Sequence, residues 1–347
     1  MATTGNAGEY AIRTYRSGDE HAILALFNRV FAVGNADFEP RSLRHWQWEF
    51  AENPEGHPTL VAESGGAIVG VFTAIPERFR FDDGVFRLGQ AVDTVVAPEH
   101  RQSLRKSGLY LTISHAWYDH FGKRDDVRFL YGFPNPQAFR IGTRLSGYEP
   151  VRCPVLEQAL PIEAAASWRD GSEGVVVEEI ERFGGELDRL DAALATKGTI
   201  AGVRDARYWN WRFADCPTTR YRLLRAESAS GRLRGFLVHG YSWHGFRKDI
   251  APVVDFVIAP GDLATWRALL GDVARAAQRH ATPKLATLLT WAPPFPGPSH
   301  FADLEKLGFQ SADTFFNLCI RRFPDSGITP EEARDRLYIN MGDSDIF

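Results

Sequence analysis

The chain reads Trp46-Gln47-Trp48-Glu49-Phe50-Ala51-Glu52-Asn53-Pro54 near its start and Trp209-Asn210-Trp211-Arg212-Phe213-Ala214-Asp215-Cys216-Pro217 in its second half. Both segments share the frame Trp-x-Trp-x-Phe-Ala-x-x-Pro, at an offset of 163 residues. Four later pairs of residues keep offsets of 161 to 165: Gly70 and Gly235, Asp93 and Asp255, Pro98 and Pro260, and Gly147 and Gly308. A chance match would not preserve this spacing, so the sequence predicts two copies of one module.

Length and composition limit the class of protein. A chain of 347 residues with 44% hydrophobic residues is large enough for two globular domains. Its net charge of -4 gives no basic surface for nucleic acid, and no apolar run approaches the roughly 18 residues that cross a bilayer. Cys153, Cys216 and Cys319 lie far apart, and the ten histidines form no metal-binding motif. We expect a cytoplasmic protein with reduced thiols and no metal, nucleic acid or membrane insertion.

Each copy predicts the element order β-α-β-β-β-α-β-α-β. Turn-linked strands favour an antiparallel meander, and the helix after Gly108 is expected to connect one parallel strand pair. The linker-like composition of residues 156–174 separates a first domain at 1–155 from a second at 175–324. Residues 325–347 mix apolar and acidic side chains, and we expect this tail to dock.

The turn before the Gly108 helix is a candidate anion site. Arg101, Arg105 and Lys106 place positive charge beside the N-H groups of a helix N-terminus. The alternative is an ordinary strand-to-helix turn with solvated basic residues. The second copy enters its helix through Pro260-Gly261-Asp262-Leu263 and carries no basic residue there.

The element order, the strand Asp93-Thr94-Val95-Val96-Ala97-Pro98, the basic turn, and Asn135 ahead of Gly147-Tyr148 together resemble the GNAT superfamily of N-acetyltransferases. The whole chain resembles a tandem GNAT protein. This resemblance implies an α/β fold of two GNAT-like domains, each a mixed, mostly antiparallel sheet flanked by helices. It also implies that the second copy, which lacks the turn, is a degenerate domain.

The resemblance further implies that the first copy binds acetyl-CoA. The strand would pair with the pantetheine arm and the turn would hold the pyrophosphate. A tyrosine, Tyr110, stands where the family usually has Gly or Ala. The implied cofactor-binding residues are Val95, Val96, Ala97, Arg101, Arg105, Lys106, Ser107, Gly108, Leu109, Tyr110 and Asn135.

Acyl transfer to an amine needs a proton acceptor and a proton donor for the leaving thiolate. Asp93 occupies the strand position of the family's carboxylate base, and His100 is a second candidate that would act through a water. The alternative for Asp93 is a structural role, because the second copy has Asp255 at the matching position. The family's usual acid, a tyrosine, falls on Gly142, so Tyr148, Tyr131 or Tyr110 is expected to replace it unless these rings only pack.

The sequence therefore predicts an acyl-CoA-dependent N-acyltransferase, with acetyl-CoA as donor and a primary amine of a small molecule such as an amino sugar as acceptor. One alternative is an acyltransferase that uses acyl carrier protein or aminoacyl-tRNA as donor. The other is a non-catalytic binding or scaffold protein built on a decayed tandem GNAT fold.

Overall fold

The order of strands and helices follows the predicted repeat. A computed structural model describes residues 10–34, 38–82, 84–101, 108–122, 127–152, 154–168, 174–240, 247, 249–279, 285–295, 299–324 and 326–347. The elements up to residue 152 are β1 (Ala11–Thr14), α1 (Asp19–Phe31), α2 (Leu43–Trp46), β2 (Thr59–Ser64), β3 (Ala67–Phe81), β4 (Gly84–Val96), α3 (Leu109–Phe121), β5 (Val127–Gly132), α4 (Pro136–Leu145) and β6 (Glu149–Arg152).

The remaining elements repeat that alternation. They are β7 (Leu156–Pro161), α5 (Ile162–Ala166), β8 (Val175–Ile180), α6 (Gly185–Leu194), β9 (Ile200–Gly202), α7 (Ala206–Trp209), β10 (Arg222–Ser228), β11 (Leu233–His239), β12 (Ile250–Ile258), α8 (Leu263–Arg279), β13 (Thr287–Trp291), α9 (His300–Lys306), β14 (Gln310–Asp313), β15 (Leu318–Arg322), α10 (Pro330–Arg336) and β16 (Leu337–Tyr338). Within the part of the chain that the structure describes, no helix is long and apolar enough to cross a membrane.

The first compact unit comprises the described residues of Met1–Phe79, Gly84–Cys153 and Phe316–Arg334. Its sheet has the strand order β1-β2-β3-β4-β5-β15-β6. The pairs β1–β2, β2–β3, β5–β15 and β15–β6 are antiparallel, whereas β4 and β5 are parallel and are joined through α3. The predicted parallel crossover is therefore present.

The second unit comprises the described residues of Arg80–Asp83, Pro154–Phe315 and Asp335–Phe347. Its seven-stranded sheet has the order β14-β7-β13-β12-β11-β10-β8, with β12 and β13 as the parallel pair. Helix α8 connects that pair, and the apolar face of α8, with Trp266, Leu269 and Leu270 fully buried, lies in the core of this unit. The predicted fold class, two mixed and mostly antiparallel sheets flanked by helices, is confirmed.

The units divide the chain differently from the boundaries that the repeat predicts. The expected linker at 156–174 contains β7, which pairs with β13 and β14 in the second sheet. Conversely, β15 from the expected second domain pairs with β5 and β6 in the first sheet. A strand of either sheet can supply hydrogen bonds to the backbone N-H and C=O groups of β7 and β15. The local sequence pattern therefore does not fix which sheet a strand joins.

The repeated tryptophan segments form buried helical turns. In each copy a one-turn α-helix is continued by a π-helical turn, at Gln47–Ala51 and at Asn210–Ala214. The i to i+5 bonds from Glu52 N to Gln47 O and from Asp215 N to Asn210 O are both 2.8 Å long. The tryptophan and phenylalanine rings of the repeat pack inside each unit: Trp46, Trp48, Phe50, Trp209, Trp211 and Phe213 are all less than 7% exposed.

The repeat extends to the register of the sheets. Gly70 faces Ala62 in the first sheet, Gly235 faces Ala226 in the second, and each pairing is followed by a register shift. A Cβ atom at Gly70 would lie 3.3 Å from the Leu109 side chain, at the start of α3. A Cβ atom at Gly235 would lie 3.0 Å from the backbone oxygen of Val257. Each glycine thus lets neighbouring backbone or the crossover helix approach its sheet closely.

Replacing Gly235 with Ala is expected to destabilise the protein by about 1–3 kcal/mol, because the new methyl group meets the β12 backbone, which cannot move without disturbing the sheet. Urea unfolding monitored by circular dichroism measures the change. Gly185→Ala is the matched control, since a Cβ atom there meets only the end of Arg189 at 3.7 Å. Equal stability of the two variants would contradict the close-approach explanation.

Candidate active site

Strand β4 separates from β5 before it ends. Their parallel register runs from Arg87 opposite Val127 to Gln90 opposite Tyr131, whereas β4 continues to Val96. On its other side β4 lies beside β3, and Ala97 N donates to Val69 O at 2.8 Å. The β5-facing edge of the last part of β4 is therefore open to another hydrogen-bonding group, such as an extended amide-containing ligand.

The predicted pantetheine strand lies at this open edge. Val95, Val96 and Ala97 have buried side chains, so any contact with a ligand would be made by their backbone groups. Arg101 is exposed, and its Nε donates to Val96 O at 2.9 Å. The candidate residues Arg105, Lys106 and Ser107 lie outside the described residues.

The N-terminus of α3 follows this strand. Gly108 is the N-cap residue and adopts an extended conformation (φ -66°, ψ 146°) without a side-chain capping bond. Leu109 is buried against Gly70, which fixes the first turn of α3 against the sheet. Among the described residues, the first N-H groups of this 13-residue helix thus have no side-chain cap, which is the arrangement that favours an anion.

A cluster of tyrosines lies beside α3. Tyr110 is turned towards Ser114 on the next turn of α3 and towards Ser146 and Tyr148, and burial raises the pKa of its phenol. The Tyr148 ring packs against Gly142: a Cβ atom there would lie 3.0 Å from the ring carbon Cγ and would overlap the ring edge. The ring of Tyr148 therefore fills the space over the position where the family usually carries its tyrosine.

Burial raises the pKa of Tyr148 well above its ordinary value, and the neighbouring Tyr118 and Tyr110 hydroxyls raise it further. Tyr148 thus stays a neutral phenol with an O-H group to donate at physiological pH. A buried polar atom near it, Arg321 Nε, has no hydrogen-bond partner among the described residues. The Arg321 guanidinium lies 5.0 Å from the Tyr118 ring centre. Unsatisfied buried groups of this kind are uncommon and often mark functional positions.

Asp93 is held by an ion pair. It has a positive φ of 48°, which bends β4 where the strand leaves β5, and its carboxylate pairs with the Arg41 guanidinium. Arg41 also binds Glu49 at 2.9 Å. The Asp93 side chain is 13% exposed, so this carboxylate sits at the boundary between core and solvent.

The same ion pair recurs in the second unit with a different set of partners. Arg204, 163 residues after Arg41, binds Asp255 at 3.2 Å and Asp343 at 2.7 Å, and all three are buried. Asn340 also accepts from Arg204 and donates to Asp255. Burial raises the pKa of Asp255 to about 6, and the neighbouring Asp343 adds to that effect. The conserved offset gives Asp93 a structural counterpart, and its catalytic role stays a prediction.

The two other candidate side chains make local contacts. His100 ends a 3-10 turn, Pro98–His100, and its Nδ1 lies 3.1 Å from the Tyr10 hydroxyl. Asn135 is the N-cap of α4 and accepts from Gln137 N and Ala138 N at 3.1 and 2.9 Å. Its side-chain oxygen therefore has a capping function, whatever its role towards a cofactor. Tyr131, in β5, is fully buried.

Sequence reasoning did not identify Arg41 or Arg321. Arg41 could have been found, because Arg41-Ser42 and Arg204-Asp205 keep the offset of the repeat. Arg321 could not, since it reaches the Tyr148 region only because β15 joins the first sheet. Within the described ranges there is no group of three or more His, Cys, Asp or Glu side chains that could hold a metal ion.

Replacing Arg204 with Met is expected to destabilise the protein by about 3–5 kcal/mol, because two buried carboxylates lose their cation. Arg182→Met provides the control: that arginine pairs with Asp215 at the surface, where ion pairs contribute about 0–1 kcal/mol. Denaturant unfolding of both variants measures the difference. A cost for Arg204→Met as small as that of the control would show that the buried cluster is not held by this cation.

Comparison with known proteins identifies the fold. Residues 11–144 match the family model of an acetyltransferase (GNAT) domain. A conserved protein of unknown function from Enterococcus faecalis V583, described as a "probable N-acyltransferase", shares 12% identity at a TM-score of 0.64, covering 90% of this chain and 72% of that one. No curated protein matches the sequence.

Two further solved structures are similar over most of their length. A tandem GNAT protein from the clavulanic acid biosynthesis pathway has 15% identity and a TM-score of 0.56, with 92% of this chain and 100% of that chain covered. Saccharomyces cerevisiae N-myristoyltransferase with bound myristoyl-CoA has 10% identity and a TM-score of 0.54, with 96% and 89% covered. At these identities the likeness concerns the fold. Residues 11–144 are thus similar to an acetyltransferase (GNAT) domain, and the chain has a fold similar to that of a tandem GNAT protein.

Proposed function

We propose that this protein transfers an acyl group from acyl-CoA, with acetyl-CoA as the donor, to a primary amine of a small molecule such as an amino sugar. The reaction takes place in the first unit, where the donor binds along β4 and at the N-terminus of α3. The yeast enzyme of similar fold holds an acyl-CoA, which supports a thioester of this class as donor.

The observation that carries the proposal is the early separation of β4 from β5. Register stops at Gln90 opposite Tyr131, and six further residues of β4 follow. An extended pantetheine arm carries amide groups that can pair with such an open strand edge. The diphosphate would then lie near Gly108, where uncapped helical N-H groups favour negative charge.

The chemistry needs one proton acceptor and one hydrogen-bond donor. The amine nitrogen attacks the thioester carbonyl, loses a proton to a base, and the carbon–sulfur bond breaks to release the thiolate. We assign the base to Asp93, with His100 as the second candidate. Tyr148 supplies a neutral O-H group that stabilises the leaving sulfur, because burial keeps this phenol protonated.

Acetyl-CoA binding is the first test. Calorimetry with the full chain should show saturable binding of acetyl-CoA below millimolar concentration. Gly108→Trp should weaken it about tenfold or more, because the indole would occupy the space of the diphosphate while φ of -66° suits any residue. Gly185→Trp, at the N-terminus of a helix in the second unit, is the matched control and should bind like the wild type.

The alternatives give different results in the same experiment. An enzyme that takes its acyl group from acyl carrier protein or aminoacyl-tRNA would not bind free acetyl-CoA, but would transfer from the loaded carrier. A scaffold protein would do neither. If Gly108→Trp binds acetyl-CoA as well as the wild type does, the donor does not bind at the N-terminus of α3.

Removing the Tyr148 hydroxyl tests the acid. Tyr148→Phe should lower kcat by about 100-fold with little change in the KM for acetyl-CoA, measured as thiol release with a panel of amino sugars as acceptors. Gly142→Ala should act in the same direction, because its methyl group displaces the Tyr148 ring. Tyr221→Phe removes a hydroxyl from the second unit and serves as the control. Full activity of Tyr148→Phe would assign the hydroxyl a packing role only.

A further inference from the structure

The second unit contains a cavity of about 170 Å³ that none of the chemistry above uses. It is bounded by the end of β12, by the C-terminal end of α6 and the residues that follow, and by β9 and the tail. Its apolar wall includes Phe256, Ile258 and Phe295, and its polar wall includes Arg80, Asp191 and His300. A mostly apolar concavity with a few polar groups is the usual form of a small-molecule site.

The cavity exists because β12 leaves its parallel partner early. Register between β12 and β13 covers only Ile250 to Pro252, whereas β12 continues to Ile258. At the far end His300 Nε2 lies 2.9 Å from Ile258 O and closes the strand edge. The space beside Phe256 and Val257 is therefore bounded by side chains, and not filled by a neighbouring strand.

Hydrogen bonding fixes the protonation of His300. Because Nε2 faces a carbonyl oxygen, it carries the hydrogen, and burial lowers the pKa of the imidazole so that it stays neutral. Nδ1, 3.2 Å from the Tyr338 hydroxyl, must then accept from that hydroxyl. The His300 and Tyr338 rings form a fixed aromatic wall. The N-H of His300 is donated to Ile258 O and the O-H of Tyr338 to His300 Nδ1.

The charged side chains on the cavity wall differ in how many of their hydrogen-bonding atoms have a protein partner. Arg204 is taken up by Asp255, Asn340 and Asp343. Arg80 uses only Nη2, which donates to Asp191 at 3.0 Å, and the other nitrogens of its guanidinium have no partner among the described residues. Asp191 also receives the backbone N-H of Arg204. Arg80 is thus the charged residue of the wall that still has N-H groups to donate to a ligand.

We propose that this cavity binds a small carboxylate with a compact apolar or aromatic body, with the carboxylate on Arg80 and the body against Phe256 and Phe295. A guanidinium fork matches the geometry of a carboxylate, which is the reason to favour that head group over an amine. The volume resembles that of a protein cavity of about 150 Å³ that holds one benzene molecule, so the body is about one ring in size. This site is separate from the proposed donor site and does not depend on it.

The test is an NMR or calorimetric titration of the full chain with three probes of similar shape: phenylacetate, phenylacetamide and phenethylamine. Phenylacetate should bind at least about tenfold more tightly than the neutral amide and the amine. Ala201→Leu, which places a larger side chain on the cavity wall, should abolish binding of all three probes. Retained thermal unfolding midpoints confirm that the variant is folded.

A charge-conserving variant isolates the role of Arg80. Arg80→Lys keeps the ion pair with Asp191 but removes the fork, so phenylacetate affinity should fall to about that of the amide. Arg189→Lys, on the exposed face of α6, is the matched control. The proposal is overturned if phenylacetamide or phenethylamine binds as well as phenylacetate, if Ala201→Leu leaves binding unchanged, or if no probe saturates up to about 20 mM.

Discussion

The arrangement of both units depends on one constraint: a parallel strand pair joined through a helix stops pairing before its longer strand ends. Buried backbone groups need partners, so the freed edge must be satisfied by something other than a strand. In the first unit Arg101 binds the carbonyl of Val96, and in the second unit His300 binds that of Ile258. Val96 and Ile258 are 162 residues apart, so each copy meets the same need at the matching position with a different side chain.

The two copies differ chiefly in the side chains that surround the strand aspartate, Asp93 or Asp255. In the first unit Asp93 shares Arg41 with Glu49 and keeps some contact with solvent. In the second unit the tail brings Asp343 and Asn340 to Arg204, and the whole group is buried. Burial raises the pKa of Asp255 to about 6, and the neighbouring Asp343 adds to that effect, whereas the Asp93 side chain in the first unit stays 13% exposed. The two copies thus share the position of the arginine–aspartate pair and differ in the side chains around it.

Much of the fold could be predicted from sequence, because the repeat carries it. The offset of the tryptophan segments, together with Gly70 and Gly235, aligned the copies and gave the element order. The π-helical turns could not be foreseen, since an alternating aromatic pattern fits an extended strand as well. The exchange of β7 and β15 between sheets was also hidden, because partner choice is a long-range property that hydrophobic alternation does not encode.

The candidate site was predictable only in part, and for the same reason. Asp93 and Gly142 followed from motif positions, and Tyr148 was one of three possible substitutes. That the Tyr148 ring covers Gly142, and that Arg321 lies beside it, requires the closing strands to be in place. The cavity beside Arg80 had no local signature, because its walls come from six separate elements and loops of the chain.

The strand exchange also governs the order in which the chain can fold during synthesis. Strands β5 and β6 are made early, but the strand that lies between them, β15, is among the last parts of the chain to emerge. Until then both early strands present unpaired edges, which are liable to associate with other chains. The second sheet meets no such delay, since β7 precedes the rest of it. A fragment cut after the first copy would therefore lack the strand that joins β6 to the rest of its sheet.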